Sequence, residues 1–167
     1  MLGEVVGAED MAAQMVRKVD DGLAQLAKIV ANVPKEKRVR ATHYKYMNPE
    51  CYVPGIYDVI AHAAGVVSAS GTAQTAINEK QLAAWNPDLI TIDPISTDTD
   101  GSIYDISSDH TKSIIANLRK NQHLSSVPAI KSNHIYPLGI HHSQFMVQSA
   151  IELARLAYPD LFVMQGD

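Results

Sequence analysis

The stretch from Ile77 to Asp93, INEKQLAAWNPDLITID, constrains the fold more than any other part of the sequence. Asn78 is a favourable N-cap, because its side-chain oxygen can accept a hydrogen bond from an amide of the first helical turn. Asn86-Pro87 ends this helix, since the residue before a proline avoids the α region. A short apolar run follows and stops before Pro94, which is typical of a strand buried on both faces. A helix that leads directly into such a strand is half of a βαβ unit.

The segments on either side repeat this alternation of helix and strand. Before Ile77 we predict a strand over Arg38–Tyr46, a loop over Met47–Gly55, a helix over Ile56–Ala64 that stops at Gly65, and a short strand at Val66-Val67. After Asp93 we predict a loop over Pro94–Ser107, a helix over Asp109–Lys120, a strand near His134–Tyr136 and a last helix from Ser143 to about Tyr158. This order predicts an α/β fold with a parallel, doubly covered sheet of about four strands.

The chain opens with one long amphipathic segment, from about Ala8 to Ala31. Its apolar residues recur at spacings of three and four, which predicts a helix; they are Met11, Met15, Val19, Leu23, Leu26 and Val30. At 1.5 Å per residue this helix spans about 35 Å, and Pro34 forbids its continuation. So long an opening helix suggests that it serves something beyond the domain, although an ordinary N-terminal helix packed on its own sheet is the alternative. We therefore divide the chain into the helix, residues 1–35, and an α/β lobe, residues 36–167.

Composition excludes several classes of function. The chain has 14 basic and 18 acidic residues, a net charge of −4, and no basic cluster among aromatic residues, so a nucleic-acid face is not expected. No apolar run approaches the roughly 18 residues of a membrane span. The first apolar segment is interrupted by Glu4 and Glu9 and does not resemble a signal peptide, so an export signal of the parent protein would lie outside this chain. The single cysteine, Cys51, excludes an internal disulfide.

Motifs that would indicate an enzyme are missing from the sequence. There is no glycine-rich dinucleotide loop and no P-loop, and the turn after the first strand carries Asn48-Pro49-Glu50, which cannot cradle a pyrophosphate closely. No serine stands in a Gly-x-Ser-x-Gly motif. We predict no catalytic residue and no permanently bound cofactor. A flavodoxin-like or Rossmann-like enzyme domain with an unrecognised site is the alternative, which tight binding of a nucleotide or flavin would favour.

In an open parallel sheet, ligands meet the loops at the carboxyl ends of the strands. Three loops are expected there: Met47–Tyr57, Pro94–Ser107 and Gly139–Ser143. Tyrosine suits an apolar pocket with a few polar anchors, and five of the seven tyrosines fall in or beside two of these loops: Tyr44, Tyr46, Tyr52, Tyr57 and Tyr104. Neutral imidazole suits iron, copper or zinc and stacks on a flat chelate. On loop placement alone, the candidate ligand-binding residues are Tyr46, Tyr52, Tyr104, His141 and His142. The alternatives are tyrosines that pack at the loop bases and histidines that are merely exposed.

A resident metal site is not predicted. The two histidines lack partners at metal-ligand spacing. The run Ser96–Gly101 resembles a calcium loop only faintly, because Ser96 replaces the first carboxylate and Ser107 stands where the bidentate glutamate should be.

Four groups of segments occur in a particular order along the chain. They are Leu2-Gly3 and Gly7-Ala8-Glu9 before the long helix; INEKQL and WNPDLI between Ile77 and Ile90; VPAIKSNHIY from Val127 to Tyr136; and Gln148-Ser149 through Leu153-Ala154 to YPDLF at Tyr158–Phe162. Each motif is loose, but their order and spacing together resemble the C-terminal lobe of the substrate-binding proteins of iron-chelate and cobalamin ABC importers. Proteins of that family have two α/β lobes joined by one long helix.

The resemblance implies that the long helix is the inter-lobe backbone and that the N-terminal lobe is absent from this chain. Glu79 matches the family's C-lobe glutamate that docks on arginines of the ABC permease; without the resemblance it is a surface charge that favours the helix dipole. The implied ligand is a transported metal chelate such as a ferric siderophore, haem or a corrinoid, held between the lobes. The parent protein would be periplasmic or a cell-surface lipoprotein. Alone, the lobe is expected to bind ligand weakly, and its exposed helix face favours self-association.

Another reading is a two-lobed metal-cluster protein of related architecture, in which Cys51 would be a ligand. An iron–sulfur spectrum that is lost on Cys51→Ala would support that reading.

Overall fold

The computed structural model describes residues 9–47, 50–53, 55–71, 75–93, 109–140 and 146–162. The helices are α1 (Glu9–Val30), α2 (Ile56–Ala63), α3 (Glu79–Trp85), α4 (Asp109–Lys120), α5 (Pro128–Lys131) and α6 (Met146–Ala157). The strands are β1 (Arg40–Met47), β2 (Glu50–Val53), β3 (Val67–Ser68), β4 (Thr75–Ile77), β5 (Leu89–Ile92) and β6 (Ile135–Pro137). Short 3₁₀ helices lie at Lys35–Lys37, Gln122–Leu124 and Pro159–Leu161.

The centre of the molecule is a parallel sheet in the order β3-β1-β5-β6. Ala41 of β1 pairs with Ser68 on one side and with Leu89 on the other, and Thr91 of β5 pairs with Tyr136. The predicted α/β class and the parallel sheet of about four strands are confirmed.

An antiparallel extension, β1-β2-β4, continues beyond the parallel sheet. The predicted loop Met47–Gly55 is therefore wrong, because Glu50–Val53 forms β2, which pairs with the end of β1 and with β4. Pro49 and Pro54 favour a loop in the sequence, but a four-residue strand is stabilised by partners that a local pattern does not reveal. Thr75–Ile77 also forms a strand, β4, which ends immediately before the Asn78 cap.

Both faces of the sheet are covered, as the sequence predicted. On one face α1, α2 and α6 pack against the sheet in a core that includes Leu26, Val30, Ala41, Tyr57, Ile60, Leu89, Leu138, Leu153 and Ala154. On the other face α3, α4 and α5 bury a second core that includes Leu82, Ile90, Ile92, Leu118, Leu124, Val127 and Ile135. Leu89 and Ile90 are neighbours in β5 but belong to different cores, because successive residues of a strand point to opposite faces. The continuous apolar run of β5 follows from this arrangement.

The turn WNPD between α3 and β5 links β1 to β5. Asn86 adopts a left-handed conformation (φ 48°) and ends the helix. The Asp88 amide donates to Arg40 O at 2.8 Å, and Asp88 Oδ2 accepts from the Arg40 amide at 3.0 Å. Pro87 O accepts from the Ala129 amide at 3.0 Å, so the same turn also holds the start of α5. These bonds set the register in which β1 and β5 begin.

The apolar stripe of α1 is covered only near its carboxyl end, within the part of the chain that the structure describes. Leu26 and Val30 are buried in the first core, whereas Met11, Met15 and Val16 are 65 %, 51 % and 59 % exposed. Between these two parts lies an apolar depression of about 200 Å³, lined by Val19, Leu23, Val59, Ile60, Ala63, Met146 and Val147. Among the described helices, none combines the length and apolarity needed to cross a membrane.

Candidate functional site

Glu79 is the first residue of α3 and is exposed. The Gln81 amide donates to Asn78 Oδ1 and the Asn78 amide donates to Gln81 Oε1, both at 2.9 Å. The predicted N-cap at Asn78 is therefore present. Gln81 completes a capping box, which was not predicted from the sequence. Because reciprocal bonds hold the backbone on both sides of Glu79, its carboxylate projects from a fixed point.

A partner distant in sequence meets the Glu79 side chain. Asn121, just after α4, donates from Nδ2 to Glu79 Oε1. This contact is long-range in sequence, and no local pattern indicated it. It links the start of α3 to the end of α4.

Glu79 stands on the rim of a cavity of about 190 Å³ between α3 and α4. The cavity is lined by Tyr44, Asn78, Glu79, Leu82, Ile114, Asn117, Leu118, Asn121 and Leu124. Leu82, Leu118 and Leu124 are buried members of this lining, whereas Tyr44 and Ile114 are partly exposed and give it apolar surface. Among the described residues that line it, Glu79 is the one with an ionisable carboxylate. A carboxylate beside apolar surface suits a cationic side chain with an alkyl stem, such as arginine.

This cavity lies toward the carboxyl ends of the parallel strands. Helix α3 leads into the start of β5, so its first residue lies toward the opposite, carboxyl end of the strands. Tyr44, which lines the cavity, pairs with Ile92 at the end of β5.

The carboxyl ends of β1, β5 and β6 are joined beyond the strands. The Asp93 amide donates to Tyr44 O at 3.0 Å, and the Leu138 amide donates to Ile92 O at 2.8 Å. Ser149 Oγ donates to Gly139 O at 2.8 Å, which ties the segment after β6 to α6. Asp93 itself is buried, at 4 % exposure.

Two of the five candidate ligand-binding residues lie on paired strands. Tyr46 in β1 pairs with Cys51 of β2, and Tyr52 in β2 pairs with Lys45 of β1, so the two tyrosines occupy successive register positions, which alternate between the two faces of a sheet. The other three candidates, Tyr104, His141 and His142, lie outside the described residues.

Tyr57 belongs to the core rather than to a ligand pocket. It is fully buried in the first turn of α2, with its ring stacked on His43 at a centroid distance of 5.4 Å, and burial raises the pKa of its hydroxyl. His43 Nδ1 lies 3.0 Å from Thr91 Oγ1, which donates to Thr42 O. The sequence did not indicate this buried polar cluster, because its members come from three separate elements.

Within the described ranges, no three histidine, cysteine, aspartate or glutamate side chains are placed to hold a metal ion.

The sequence matches the model of the family described as periplasmic binding protein over residues 1–139. This chain belongs to the periplasmic binding protein family. The match covers most of the chain and confirms the family that the ordered segments indicated. No curated protein matches the sequence.

Solved periplasmic binding proteins share the fold at low sequence identity. A periplasmic binding protein from Veillonella parvula superposes with a TM-score of 0.76 at 18 % identity, over 95 % of this chain and 54 % of that one. The periplasmic haem-binding protein RhuT from Roseiflexus superposes with a TM-score of 0.72 at 16 % identity, over 95 % of this chain and 60 % of that one. MolA from Haemophilus influenzae, bound to molybdate, superposes with a TM-score of 0.71 at 17 % identity, over 98 % of this chain and 48 % of that one.

The chain spans about half to three-fifths of the length of these solved structures. One lobe of a two-lobed periplasmic binding protein fits that share. The hypothesis of a helix that joins two lobes requires a long helix, and α1 is present over Glu9–Val30.

Proposed function

We propose that this chain is the C-terminal lobe of the substrate-binding component of an ABC importer, without enzymatic activity, and that the whole protein carries a metal chelate. Membership in the periplasmic binding protein family supports the transport class. The similar structures include a haem-binding and a molybdate-bound protein, which supports a metal-containing ligand. The narrower class, a ferric siderophore, haem or a corrinoid, rests on the resemblance of the ordered segments to iron-chelate and cobalamin importers. The candidate contacts with such a ligand, on loop placement alone, are Tyr46, Tyr52, Tyr104, His141 and His142.

The observation that carries the proposal is the setting of Glu79. Its carboxylate is exposed, starts from a backbone held by a capping box, and borders an apolar cavity. In the proposed mechanism the chelate binds between two lobes, and Glu79 then docks on arginines of the permease. An exposed charge of this kind contributes orientation and association rate more than affinity. Docking requires that the protein works outside the cytoplasm, in the periplasm or as a surface lipoprotein.

Glu79→Ala in the full-length, two-lobed protein is expected to reduce chelate uptake roughly tenfold or more, because the charge that orients docking is removed. The affinity for the chelate should stay within about twofold, since Glu79 lies on the outer helix α3. Haem, a ferric siderophore and cobalamin are titrated while the fluorescence of Trp85 and the tyrosines is followed, and uptake is measured with the chelate that binds.

Glu36→Ala is the matched control. Glu36 is also an exposed acidic residue in the first turn of a helix, but it lies before β1, at the amino end of the parallel strands. Its substitution should leave uptake unchanged. Unchanged uptake by Glu79→Ala would reject the docking role, and failure of all three probes to bind would reject the chelate class.

We further propose that the exposed apolar face of α1 is covered by an N-terminal lobe in the whole protein. Met11, Met15 and Val16 are more than half exposed on a helix whose far end is buried, and exposed apolar patches of this kind favour association. This chain alone should therefore self-associate with increasing concentration, and the two-lobed protein should not.

Sedimentation velocity over a concentration series measures that difference. Val16→Glu is expected to make this chain monomeric, whereas Lys28→Glu, an exposed charge change on the same helix, should not. A chain that is monomeric without any substitution at all concentrations contradicts the proposed covering of α1.

A further inference from the structure

Both ends of the Asn121 side-chain amide are engaged. Asn121 Oδ1 accepts from the His123 amide at 2.9 Å and so caps the 3₁₀ helix Gln122–Leu124. Asn121 Nδ2 donates to Glu79 Oε1. A carboxamide has one acceptor end and one donor end, so the cap bond decides that the donor end faces Glu79. The orientation of Asn121 is therefore set by its own turn and does not depend on the carboxylate.

We propose that Asn121 is a positioning residue that holds the Glu79 carboxylate ready for a guanidinium group of the docking partner. The role rests on the proposed docking function of Glu79. The capping box fixes the backbone at the start of α3, and Asn121 fixes the far end of the same side chain. Ordering a long, exposed glutamate side chain on binding opposes association, and a side chain that is ordered beforehand avoids that loss.

The contact leaves the carboxylate able to bind a second donor. Each carboxylate oxygen accepts more than one hydrogen bond, so the Asn121 amide does not exhaust Glu79. The cavity lining beside it includes the partly exposed Ile114, whose apolar surface can receive the alkyl stem of an arginine. Asn121 therefore places the charge at the edge of an apolar surface, where a charge-assisted hydrogen bond is stronger than in bulk water.

The test compares Asn121→Ala and Asn121→Asp in the full-length protein. Binding to the permease of the same transporter, reconstituted in nanodiscs, is measured by surface plasmon resonance. Asn121→Ala frees the Glu79 side chain and should weaken binding about threefold to tenfold, as expected for the loss of one ordered side chain. Asn121→Asp keeps an acceptor for the His123 amide but places a like charge against Glu79, so it should weaken binding by more than about tenfold.

Asn117→Asp is the matched control. Asn117 lines the same cavity, so this variant adds the same charge to the same rim without removing the donor to Glu79. Its effect should be smaller than that of Asn121→Asp, and equal effects would overturn the positioning role. In a Glu79→Ala background, Asn121→Asp should have no further effect, and a full effect there would also overturn it.

A measurement on the chain itself separates this inference from the docking proposal. The side-chain NH₂ resonances of Asn121 should shift on Glu79→Ala, while the melting temperatures of the wild type and Asn121→Asp should agree within about 2 °C, because the cap bond is retained. If Glu79→Ala weakens docking but neither Asn121 variant does, positioning by Asn121 is rejected and docking through Glu79 stands. If Glu79→Ala leaves docking unchanged, the docking proposal is rejected first.

Discussion

Gly65→Ala is expected to lower the free energy of unfolding by about 2 to 5 kcal/mol. Gly65 ends α2 with φ +68°, a left-handed conformation that costs an L-residue about 1 to 2 kcal/mol. A Cβ at this position would also lie 2.8 Å from the Cβ of Val30, which is buried at the end of α1. Since Val30 is short and branched, the clash is relieved only by a backbone shift, at a typical cost of about 1 to 3 kcal/mol. Urea unfolding followed by circular dichroism measures the sum.

Gly71→Ala separates the two contributions. Gly71 has nearly the same backbone angle, φ +67°, but no atom of the residues that the structure describes lies within 4 Å of an added Cβ. This variant should show only the conformational cost, about 1 to 2 kcal/mol. If both variants lose the same stability, close packing of α1 against Gly65 contributes nothing, and the attachment of α1 to the lobe must rest elsewhere.

Gly65 illustrates what the sequence predicts well. The glycine indicated the end of a helix, just as Asn78 indicated a helix start and Pro34 the end of α1, and the structure has all three boundaries close to those positions. Each of these boundaries depends on the chemistry of a few neighbouring residues. The apolar run of β5 was equally informative, because both of its faces are buried.

Contacts between distant segments account for what the sequence did not predict. Strand β2 pairs with β1 and β4, and the Asn121 amide reaches Glu79 from the far side of a cavity. Tyr57 resembled a ligand-side tyrosine by its position beside a loop, yet its ring is stacked on His43 in the core. Chain position alone does not distinguish a tyrosine that faces a ligand from one that supports the sheet.

The same difference between local signals and long-range contacts applies to the candidate site residues. Glu79 was assigned through ordered motifs whose residues lie near one another in the chain, and the structure places it exposed at a capped helix start. The ligand-binding candidates were assigned through loops, whose shape depends on tertiary contacts and on whatever faces them. Tyr46 and Tyr52 lie at successive register positions of β1 and β2, and the sequence did not indicate β2.

Tyr158→Phe is expected to destabilise the fold by about 2 to 4 kcal/mol, although it removes a single oxygen atom. The Tyr158 hydroxyl donates to Gly65 O at 2.7 Å and accepts from the Val39 amide at 3.1 Å, so it joins the end of α2 to the approach to β1. Phenylalanine would leave the buried Gly65 carbonyl without its partner, at a cost of about 1 to 3 kcal/mol, and the partly buried Val39 amide without its partner, at a cost of about 1 kcal/mol. Thermal and urea unfolding measure the loss.

Tyr57→Phe is the control, because the buried Tyr57 hydroxyl lies near Thr91 but makes no hydrogen bond of good geometry in the described part of the chain. Its cost should stay below about 1 kcal/mol.

The pH dependence of the same variants provides an independent check. Burial is the largest cause that raises the pKa of Tyr158 above its ordinary value of about 10. Above that pH the unfolded chain loses the tyrosine proton while the folded chain retains it, so the free energy of unfolding falls as the pH rises. Tyr158→Phe should therefore show a shallower loss of stability above pH 10 than the wild type, in addition to its lower stability at neutral pH. A stability at neutral pH that Tyr158→Phe leaves unchanged would mean that Tyr158 contributes by the packing of its ring alone. A double variant with Gly65→Ala should then be additive, whereas the bond to Gly65 O predicts that the two effects are not additive.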